Sequence, residues 1–388
     1  MRICDPLLPV LAKEFGTTLS AAAATTTGFA IAYGSTQIFF GPLGDRVGRL
    51  PVIVAAIAIA AAASVVSAVA PTLDLLIIGR IATGAFAAAA IPLSLGWIGD
   101  NVPYADRQPV LARYLIGQML GMTAGQIGGG VLADLIGWRF AFWAVAALFA
   151  AAALLLYRSM RQSTAPARLA PAGSAATAAG SASPAGHPGS YLKQCRLLFA
   201  DRWAIIVIGT VTLEGTLLFG AVALIASYLQ QGFGTSASVA GTVSALFGLG
   251  GIFYALNARR LLTRLRASGL CRAGGGLIAM AMVVLLLQPS WHWAVAAALM
   301  AGLGYYMLHN TLQTQATQLS TAARGAAISI FATGLWLGQG IGVAVAAAVA
   351  ERFGFHLVFA ATALGLAALG LGFGRAMDAR QARLQAEG

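Results

Sequence analysis

Eleven long apolar runs constrain this sequence more than any other feature. Each run is close to the ~20 residues that a helix needs to cross a bilayer. The runs lack the alternating apolar and polar pattern of barrel strands. Since lipid accommodates only helices and closed barrels, the chain is predicted to be an all-α polytopic membrane protein. The runs lie at 20–40, 51–70, 73–98, 111–132, 140–157, 203–229, 238–257, 272–288, 293–312, 326–349 and 355–373.

The charged residues agree with a membrane protein. They make up 9% of the chain, whereas soluble domains contain about 25%. The net charge of +12 comes from basic residues concentrated in every second loop, and the intervening loops hold only Lys13, Arg139 and Arg352. Because basic loops stay on the cytoplasmic side, this distribution predicts a cytoplasmic linker and C-terminus and disfavours nucleic-acid binding.

The chain divides into two related halves. Residues 159–190 are rich in Ala, Pro, Ser and Gly, which is typical of a flexible linker. A shift of 217 residues lays Arg107 on Arg324 and the acid Asp134 on the acid Glu351. Near the start, a shift of 218 residues lays Gly16 on Gly234 and Ser20 on Ser238. We therefore predict an N-terminal bundle, a cytoplasmic linker, a C-terminal six-helix bundle and a cytoplasmic tail. The boundaries are 1–158, 159–200, 201–374 and 375–388.

The first segment is short. Met1–Leu11 has about half the length of a spanning helix. Its counterpart in the repeat is only the outer end of the 203–229 segment. This predicts that the first helix is incomplete in the given sequence, through a mis-assigned start or a truncation. The alternative is a helix that begins short.

A nine-residue motif follows the first long run. It reads Gly41-Pro42-Leu43-Gly44-Asp45-Arg46-Val47-Gly48-Arg49. It resembles the cytoplasmic-loop motif of the major facilitator superfamily, G-x-L-A-D-R-x-G-R-[KR]. That resemblance implies that Asp45 and its neighbours help to join the two halves, and that the contact breaks when the cytoplasmic side opens. The alternative is a solvated turn. The motif residues proposed for this gating role are Gly41, Gly44, Asp45, Arg46, Gly48 and Arg49.

Further stretches resemble two groups within that superfamily, the twelve-helix drug:H⁺ antiporters and the arabinose or sugar-efflux permeases. Asp5 to Pro9 resembles the D-x-x-x-P end of their first helix, and Arg80 with Gly84 the R-x-x-x-G motif of their fourth. A fifth-helix glycine motif is also present, although Gln126 replaces the proline of the family, which weakens the inference of antiport. Its residues are Gly121, Gly125, Gln126, Gly128 and Gly129.

The resemblance implies a major-facilitator-type fold, with two six-helix bundles related by a pseudo-twofold repeat. It also implies a multi-pass protein of a bacterial cytoplasmic membrane, and we expect a monomer. Charges within the apolar runs are the candidates for proton coupling, since burial of a charge is costly. Asp5, Arg80 and Glu214 are these candidates. Each also has a structural alternative: a helix cap for Asp5, a snorkelling arginine for Arg80, and a hydroxyl-bonded carboxylate for Glu214.

Polar residues within the apolar runs are candidates for the substrate cavity. Tyr306, His309, Asn310 and Gln313 share one helix face by their spacing. Gln118, Gln339 and Trp336 also belong to this set, and Gln126 can serve the same purpose. The alternatives are packing for His309, helix bridging for the glutamines and interfacial anchoring for the tryptophan.

Covalent chemistry is not indicated. The sequence has no phosphate-binding G-x-x-x-x-G-K-[ST] loop, no nucleophile–base pattern and no metal-ligand spacing among Cys4, Cys195, Cys271 and the histidines. We therefore expect no enzyme activity, no cofactor and no metal. The function predicted is proton-coupled export of a small organic molecule or drug by alternating access. The alternatives are an uncoupled facilitator or importer, and a non-transporting receptor on the same scaffold.

Overall fold

The structure, a computed structural model, describes residues 2–163, 195–319 and 324–387, and every regular element in these ranges is helical. Most of the predicted linker lies outside the described residues. A 3-10 turn, Arg2–Leu7, leads directly into the first α-helix. The α-helices are α1 (Leu8–Glu14), α2 (Leu19–Val47), α3 (Arg49–Ala68), α4 (Leu73–Ala87), α5 (Ala90–Asn101), α6 (Tyr104–Leu135), α7 (Trp138–Ser163), α8 (Arg202–Phe233), α9 (Ala237–Leu287), α10 (Trp293–Thr317), α11 (Arg324–Phe353) and α12 (Phe355–Glu387).

The helices have the length and composition of membrane spans. Seven helical stretches in the described part are long and apolar enough to cross a bilayer. The helices α2, α6 and α10 are also long enough, at 29, 32 and 25 residues, but they carry more polar side chains. The prediction of an all-α polytopic membrane fold is therefore confirmed.

The internal repeat is visible in the helix ends. Gly16 and Gly234, which the sequence pairs at an offset of 218, both end a helix with a left-handed φ, of 58° and 64°. Two residues further on, the hydroxyls of Thr18 and Ser236 cap the next helix by accepting a backbone N–H at 3.1 and 3.2 Å. The same residue types thus make the same turn and cap in both halves.

Two surfaces of the bundle need names. The basic face is the one where α2 ends and α6 and α8 begin, and it carries Arg46, Arg107 and Arg202. The opposite face carries Glu14, at the end of α1, and Glu351, near the end of α11. The first half comprises α1 to α7, and the second half comprises α8 to α12.

Close glycine contacts bring the helices together within the second half. A Cβ at Gly302 of α10 would lie 1.9 Å from the backbone oxygen of Phe247 in α9. One at Gly342 of α11 would lie 2.0 Å from the oxygen of Thr216 in α8. Because lipid offers no hydrophobic drive for association, small residues that allow such backbone contact stabilise helix pairs in membranes.

The two halves meet along two helix pairs, α2 with α11 and α6 with α9. A Cβ at Gly34 of α2 would lie 2.8 Å from Cβ of Trp336. One at Gly130 of α6 would lie 2.1 Å from the oxygen of Ala237. Close contact at both pairs leaves no room for a larger side chain at either glycine.

Two features differ from the sequence prediction. The motif placed in a loop at 41–49 is largely helical, because α2 continues to Val47 and only Gly48, at φ 99°, makes the turn. The two arms of α9 are joined through Arg266, whose φ of 57° and ψ of 172° bend the chain without a loop.

Candidate functional site

A buried pair of titratable side chains lies inside the second half. The imidazole Nδ1 of His309 in α10 lies 2.8 Å from Oε2 of Glu214 in α8. The Glu214 side chain is 0% exposed and that of His309 is 12% exposed. The structure thus joins two residues that the sequence had assigned to separate roles, proton coupling and cavity lining.

Local packing explains why Glu214 is buried. Its neighbour Gly215 lies at a close contact between α8 and α11, where a Cβ would be 2.5 Å from the oxygen of Leu335. On the same helix, Thr212 and Thr216 bond back to their own helix, at Ile208 and Thr212. Their hydroxyls are therefore not the partners of Glu214, and His309 takes that place.

Aromatic rings surround the pair. The ring of Tyr305 stacks on His309 with centroids 4.8 Å apart, and Phe331 lies 5.5 Å from the imidazole on α11. Tyr305 also contacts Phe219 at 5.1 Å and Phe247 at 5.5 Å. These rings exclude water from the imidazole and fix its orientation.

A second buried pair, formed by an arginine and an acid, comes from the first half. Arg2 and Asp5 are 3% and 0% exposed, and their side chains are 3.0 Å apart. The guanidinium of Arg2 lies 4.5 Å above the ring of Phe219 on α8. Such cation–π contact is strongest when water is excluded. Arg2 therefore reaches across the junction between the halves to the aromatic cluster next to Glu214.

Other contacts hold the first segment at the junction. The side-chain amide of Gln230 in α8 donates to the oxygen of Pro6 at 2.9 Å. The amide of Gln126 in α6 lies beside the Asp5 carboxylate, and its side chain is buried. Gln126, which stands in place of the family proline, therefore contributes a polar group to this pair rather than a kink.

The glycine motif of α6 lies against this same region. A Cβ at Gly129 would be 2.4 Å from the oxygen of Ile3, and one at Gly125 would be 3.8 Å from its nitrogen. Gly121 and Gly128 have nothing within 4 Å of a built Cβ. Only part of the predicted motif thus serves close helix packing.

A polar junction between α2 and α11 lies further toward the basic face. The Gln37 amide donates to the Thr333 hydroxyl at 3.1 Å, and that hydroxyl donates to the oxygen of Gly34 at 3.2 Å. Beside them the rings of Tyr33 and Trp336 are 4.3 Å apart. Trp336, a predicted cavity residue, thus packs between the halves.

The remaining predicted residues are dispersed. Arg80 is 1% exposed, and its guanidinium lies 4.4 Å above the ring of Phe29. Tyr306 packs its ring on Gly251, where a Cβ would be 2.2 Å away. Gln339 is buried, Asn310 is half-buried, and Gln118 and Gln313 are exposed. The structure therefore does not gather all predicted cavity residues into one cluster.

The nine-residue motif forms its contacts within the first half. Arg49 lies 3.3 Å from Asp45 and 3.0 Å from Asp100 at the end of α5. A Cβ at Gly44 would be 2.4 Å from Leu93, and one at Gly96 would be 2.2 Å from the Arg49 guanidinium. The Asp45 carboxylate is 48% exposed. These contacts of the motif thus connect α2 to α5, and both helices belong to the first half.

Sequence reasoning missed Arg2, Phe219 and Tyr305 as members of the site. The i, i+3 spacing of Arg2 and Asp5 was a usable signal for an ion pair. No such signal linked Phe219 to Arg2, because they lie in different halves. Among the described residues, no group of three His, Cys, Asp or Glu side chains is placed to hold a metal ion.

The two buried pairs have hydrogen-bonding capacity that the described contacts do not use. One oxygen of Glu214 and one of Asp5 have no hydrogen-bond partner in the structure. Both pairs therefore retain an acceptor position for a proton or a polar group.

Part of this chain is similar in sequence to known transport proteins. It is 31% identical to the uncharacterised transporter YgaY of Escherichia coli O157:H7 over 161 residues, which are 41% of this chain and 40% of YgaY. It is 35% identical to the inner membrane transport protein YajR of Escherichia coli K12 over 149 residues, which are 37% of this chain and 32% of YajR. The matched stretch thus spans well under half the length of these relatives.

The fold also matches a solved structure. That structure is a bacterial homologue of the human lysosomal transporter Spinster, in an inward-facing and unoccupied conformation. The TM-score is 0.77 at 19% identity, over 96% of this chain and 93% of that one. The family model of the Major Facilitator Superfamily matches residues 2–323. With its helical membrane fold, its repeated halves and this match over most of its length, the chain belongs to the Major Facilitator Superfamily.

Proposed function

We propose that this protein is a transporter that exports a small organic molecule in exchange for protons by alternating access. The buried Glu214–His309 pair is the observation that carries the proposal. A carboxylate inside an apolar bundle is costly, and in membrane proteins such groups mark ion and proton pathways. A purely structural role would be served more cheaply by apolar residues of similar size.

The pair provides a way to couple a proton to a conformational change. Without an added proton, Glu214 accepts from the His309 imidazole and the pair remains buried. A proton that binds to this pair changes the charge of the pair by one unit. The free-energy cost of burying the pair away from water therefore changes as well. The conformation that gives the pair access to water is therefore favoured in one protonation state and disfavoured in the other.

The Asp5–Arg2 pair is proposed as the second element of coupling. Arg2 contacts Phe219 in the second half, and Phe219 contacts Tyr305, which stacks on His309. These three contacts connect the two pairs across the junction. We propose that they couple the two pairs during the cycle.

The halves support the proposed rocking motion. They are joined near the opposite face by Glu351 with Ser20 and by Asp134 with Ser238, whereas the contacts of Asp45 described above lie within the first half. In the proposed cycle, the contacts on the opposite face break as the motif residues at the basic face engage the second half. Because basic loops stay on the cytoplasmic side, we propose that the basic face is the cytoplasmic side of the protein in a bacterial inner membrane.

The test requires reconstituted protein. Compounds are selected as those to which expression of the chain gives resistance in a sensitive strain. Purified chain is then placed in proteoliposomes that contain pyranine, and proton movement is followed when each compound is added across an imposed pH gradient. The wild type is expected to move protons only when a transported compound is present, because flux is coupled.

Glu214→Gln removes the titratable group while conserving the size and polarity of the side chain. It is expected to abolish compound-dependent proton movement, and Asp5→Asn to reduce it. Glu14→Gln is the matched control, since Glu14 pairs with Arg139 at 2.9 Å on the surface of the first half. Coupled flux that survives in Glu214→Gln would refute the assignment of this residue.

Two alternatives have distinct outcomes in the same assay. Compound flux that persists unchanged with an uncoupler identifies a facilitator or importer without proton coupling. Compound binding without any flux, in vesicles of either orientation, identifies a receptor on a transporter scaffold.

A further inference from the structure

A separate cavity of about 500 Å³ opens at the basic face of the second half. The start of α8, the bend of α9, the end of α10 and the last part of α12 form its walls. Three of its lining residues are arginines, namely Arg266, Arg272 and Arg380, and one, Asp378, is an acid. Side-chain amides complete the polar wall at Gln315, Gln318 and Gln381. The lining thus carries a net positive charge and many hydrogen-bond donors.

The arginine at the bend of α9 has a strained backbone conformation. Arg266 is the one non-glycine residue with a positive φ among the described residues. Its φ of 57° and ψ of 172° lie in a region that only glycine adopts readily. Strained conformations of this kind concentrate at functional positions. A glycine would make the same bend without strain, so the arginine side chain is the feature that needs an explanation.

Neighbouring contacts fix the other two arginines. Arg272 is paired with Asp378. Hydrogen bonds from Ser268 and Arg272 lower the pKa of Asp378, which lies in the part of α12 beyond the ~20 residues that cross a bilayer. The guanidinium of Arg380 lies 4.6 Å above the ring of Trp203. These arginines are therefore held in place before any ligand arrives.

The cavity wall also contains an unsatisfied donor. Trp203 is 8% exposed, and its indole N–H has no hydrogen-bond partner in the structure. Its ring stacks on Phe373 with centroids 5.6 Å apart, so the indole cannot turn freely. Buried donors normally find an acceptor. Trp203 thus lines this cavity with a fixed ring, and its unpaired N–H is itself buried.

We propose that this cavity binds the phosphate of an anionic phospholipid headgroup. Guanidinium groups match phosphate oxygens in geometry and charge. Basic pockets between the membrane helices of transport proteins are suited to phosphate-bearing headgroups. Leucines at the rim supply apolar surface for the lipid chains, since Leu265 and Leu384 line the cavity and are 39% and 59% exposed. A soluble phosphate would make no use of that surface.

The experiment measures lipid binding by the full chain. The protein is reconstituted in nanodiscs of phosphatidylcholine with increasing phosphatidylglycerol, and bound lipid is counted by native mass spectrometry. Wild type is expected to retain phosphatidylglycerol in preference to phosphatidylcholine. Loss of one charged hydrogen-bond partner should weaken retention about tenfold. The variants are Arg266→Gly, which conserves the bend, and Arg380→Gln, which conserves an amide donor.

Arg259→Gln is the matched control, because Arg259 is an exposed arginine of the same helix that does not line the cavity. It should leave retention unchanged. A wild type without preference for phosphatidylglycerol overturns the proposal, as does retention that is equal in wild type and both variants. In a parallel arm, inorganic phosphate is titrated in phosphatidylcholine nanodiscs. Binding of phosphate that depends on Arg266 and Arg380, without lipid preference, would also overturn the lipid assignment.

Discussion

The carboxylate of Asp134, in α6 of the first half, accepts the backbone N–H of Ser238 at 2.7 Å and so caps the start of α9 in the second half. The repeat supplies its counterpart, because the carboxylate of Glu351 accepts the backbone N–H of Ser20 at 3.1 Å. Each half therefore caps a helix of the other half on the opposite face. Unpaired N–H groups at a helix start attract negative charge, so these two contacts favour closure of that face.

The first prediction concerns this pair of caps. The double change Asp134→Ala and Glu351→Ala removes both acceptors and should cost the closed state roughly 2 kcal/mol, which is about a thirtyfold shift in population ratio. Distances between spin labels at Lys13 and Arg352, in a Cys195→Ser background, report the opening of that face. Longer distances are expected in the double variant. Glu14→Gln, which breaks an ion pair inside the first half on the same face, should leave the distances as in wild type.

The second prediction uses two neighbouring glycines of α6. A Cβ at Gly130 would lie 2.1 Å from the oxygen of Ala237 across the junction, whereas nothing lies within 4 Å of one at Gly128. Gly130→Ala should therefore disfavour the closed opposite face by about 1–3 kcal/mol. The same spin-label distances should lengthen in this variant and stay unchanged in Gly128→Ala. Equal behaviour of the two variants would show that the close contact does not limit closure.

Much of the fold was predictable from sequence for a clear physical reason. The bilayer fixes the length of each apolar run, and the repeat predicts which residues play matching parts. Ser20 and Ser238, aligned by sequence, do occupy matching helix starts, and so do the acids at 134 and 351. Gly16 and Gly234, which the repeat also pairs, both have a left-handed φ at the end of a helix.

The site was less predictable, since it depends on side chains that meet across helices. Glu214 and His309 are 95 residues apart, and no periodicity relates a position on α8 to one on α10. The role of Arg2 depends on a ring in the other half. The bend at Arg266 could not be predicted, because a run of arginines between two apolar runs indicates a loop. The structure instead has helix on both sides of Arg266.

The third prediction tests the energetic link between Glu214 and His309. Removal of one member of a buried hydrogen-bonded pair leaves the other without its partner, which costs about 1–3 kcal/mol. His309→Ala should therefore lower the free energy of unfolding in detergent by more than the lost packing alone explains. The double variant His309→Ala with Glu214→Gln should recover part of that loss, because no unpaired carboxylate remains. Strict additivity of the two single changes would show that the pair contributes no coupling energy.

The fourth prediction concerns packing within the second half. A Cβ at Gly302 would lie 1.9 Å from the oxygen of Phe247, so Gly302→Ala forces α10 away from α9 and should cost about 1–3 kcal/mol. Gly276, also helical, has nothing within 4 Å. Gly276→Ala should be neutral or stabilise by up to about 1 kcal/mol, because alanine favours helix over glycine. The free energies of unfolding of both variants and of the wild type, measured in the same detergent, test this difference.

The fifth prediction follows from the backbone at Arg266. Its φ of 57° and ψ of 172° cost any side chain about 1–3 kcal/mol relative to glycine. Arg266→Gly should therefore raise the free energy of unfolding by roughly 1 kcal/mol in zwitterionic lipid, where no anion compensates for the strain. Arg259→Gly, at an exposed helical position of the same helix, should lower it by about 1 kcal/mol. A loss of stability in Arg266→Gly similar to that in Arg259→Gly would show that the bend stores no strain. In phosphatidylglycerol the advantage of Arg266→Gly over wild type should shrink, because only the wild type gains the contact of that guanidinium with the headgroup.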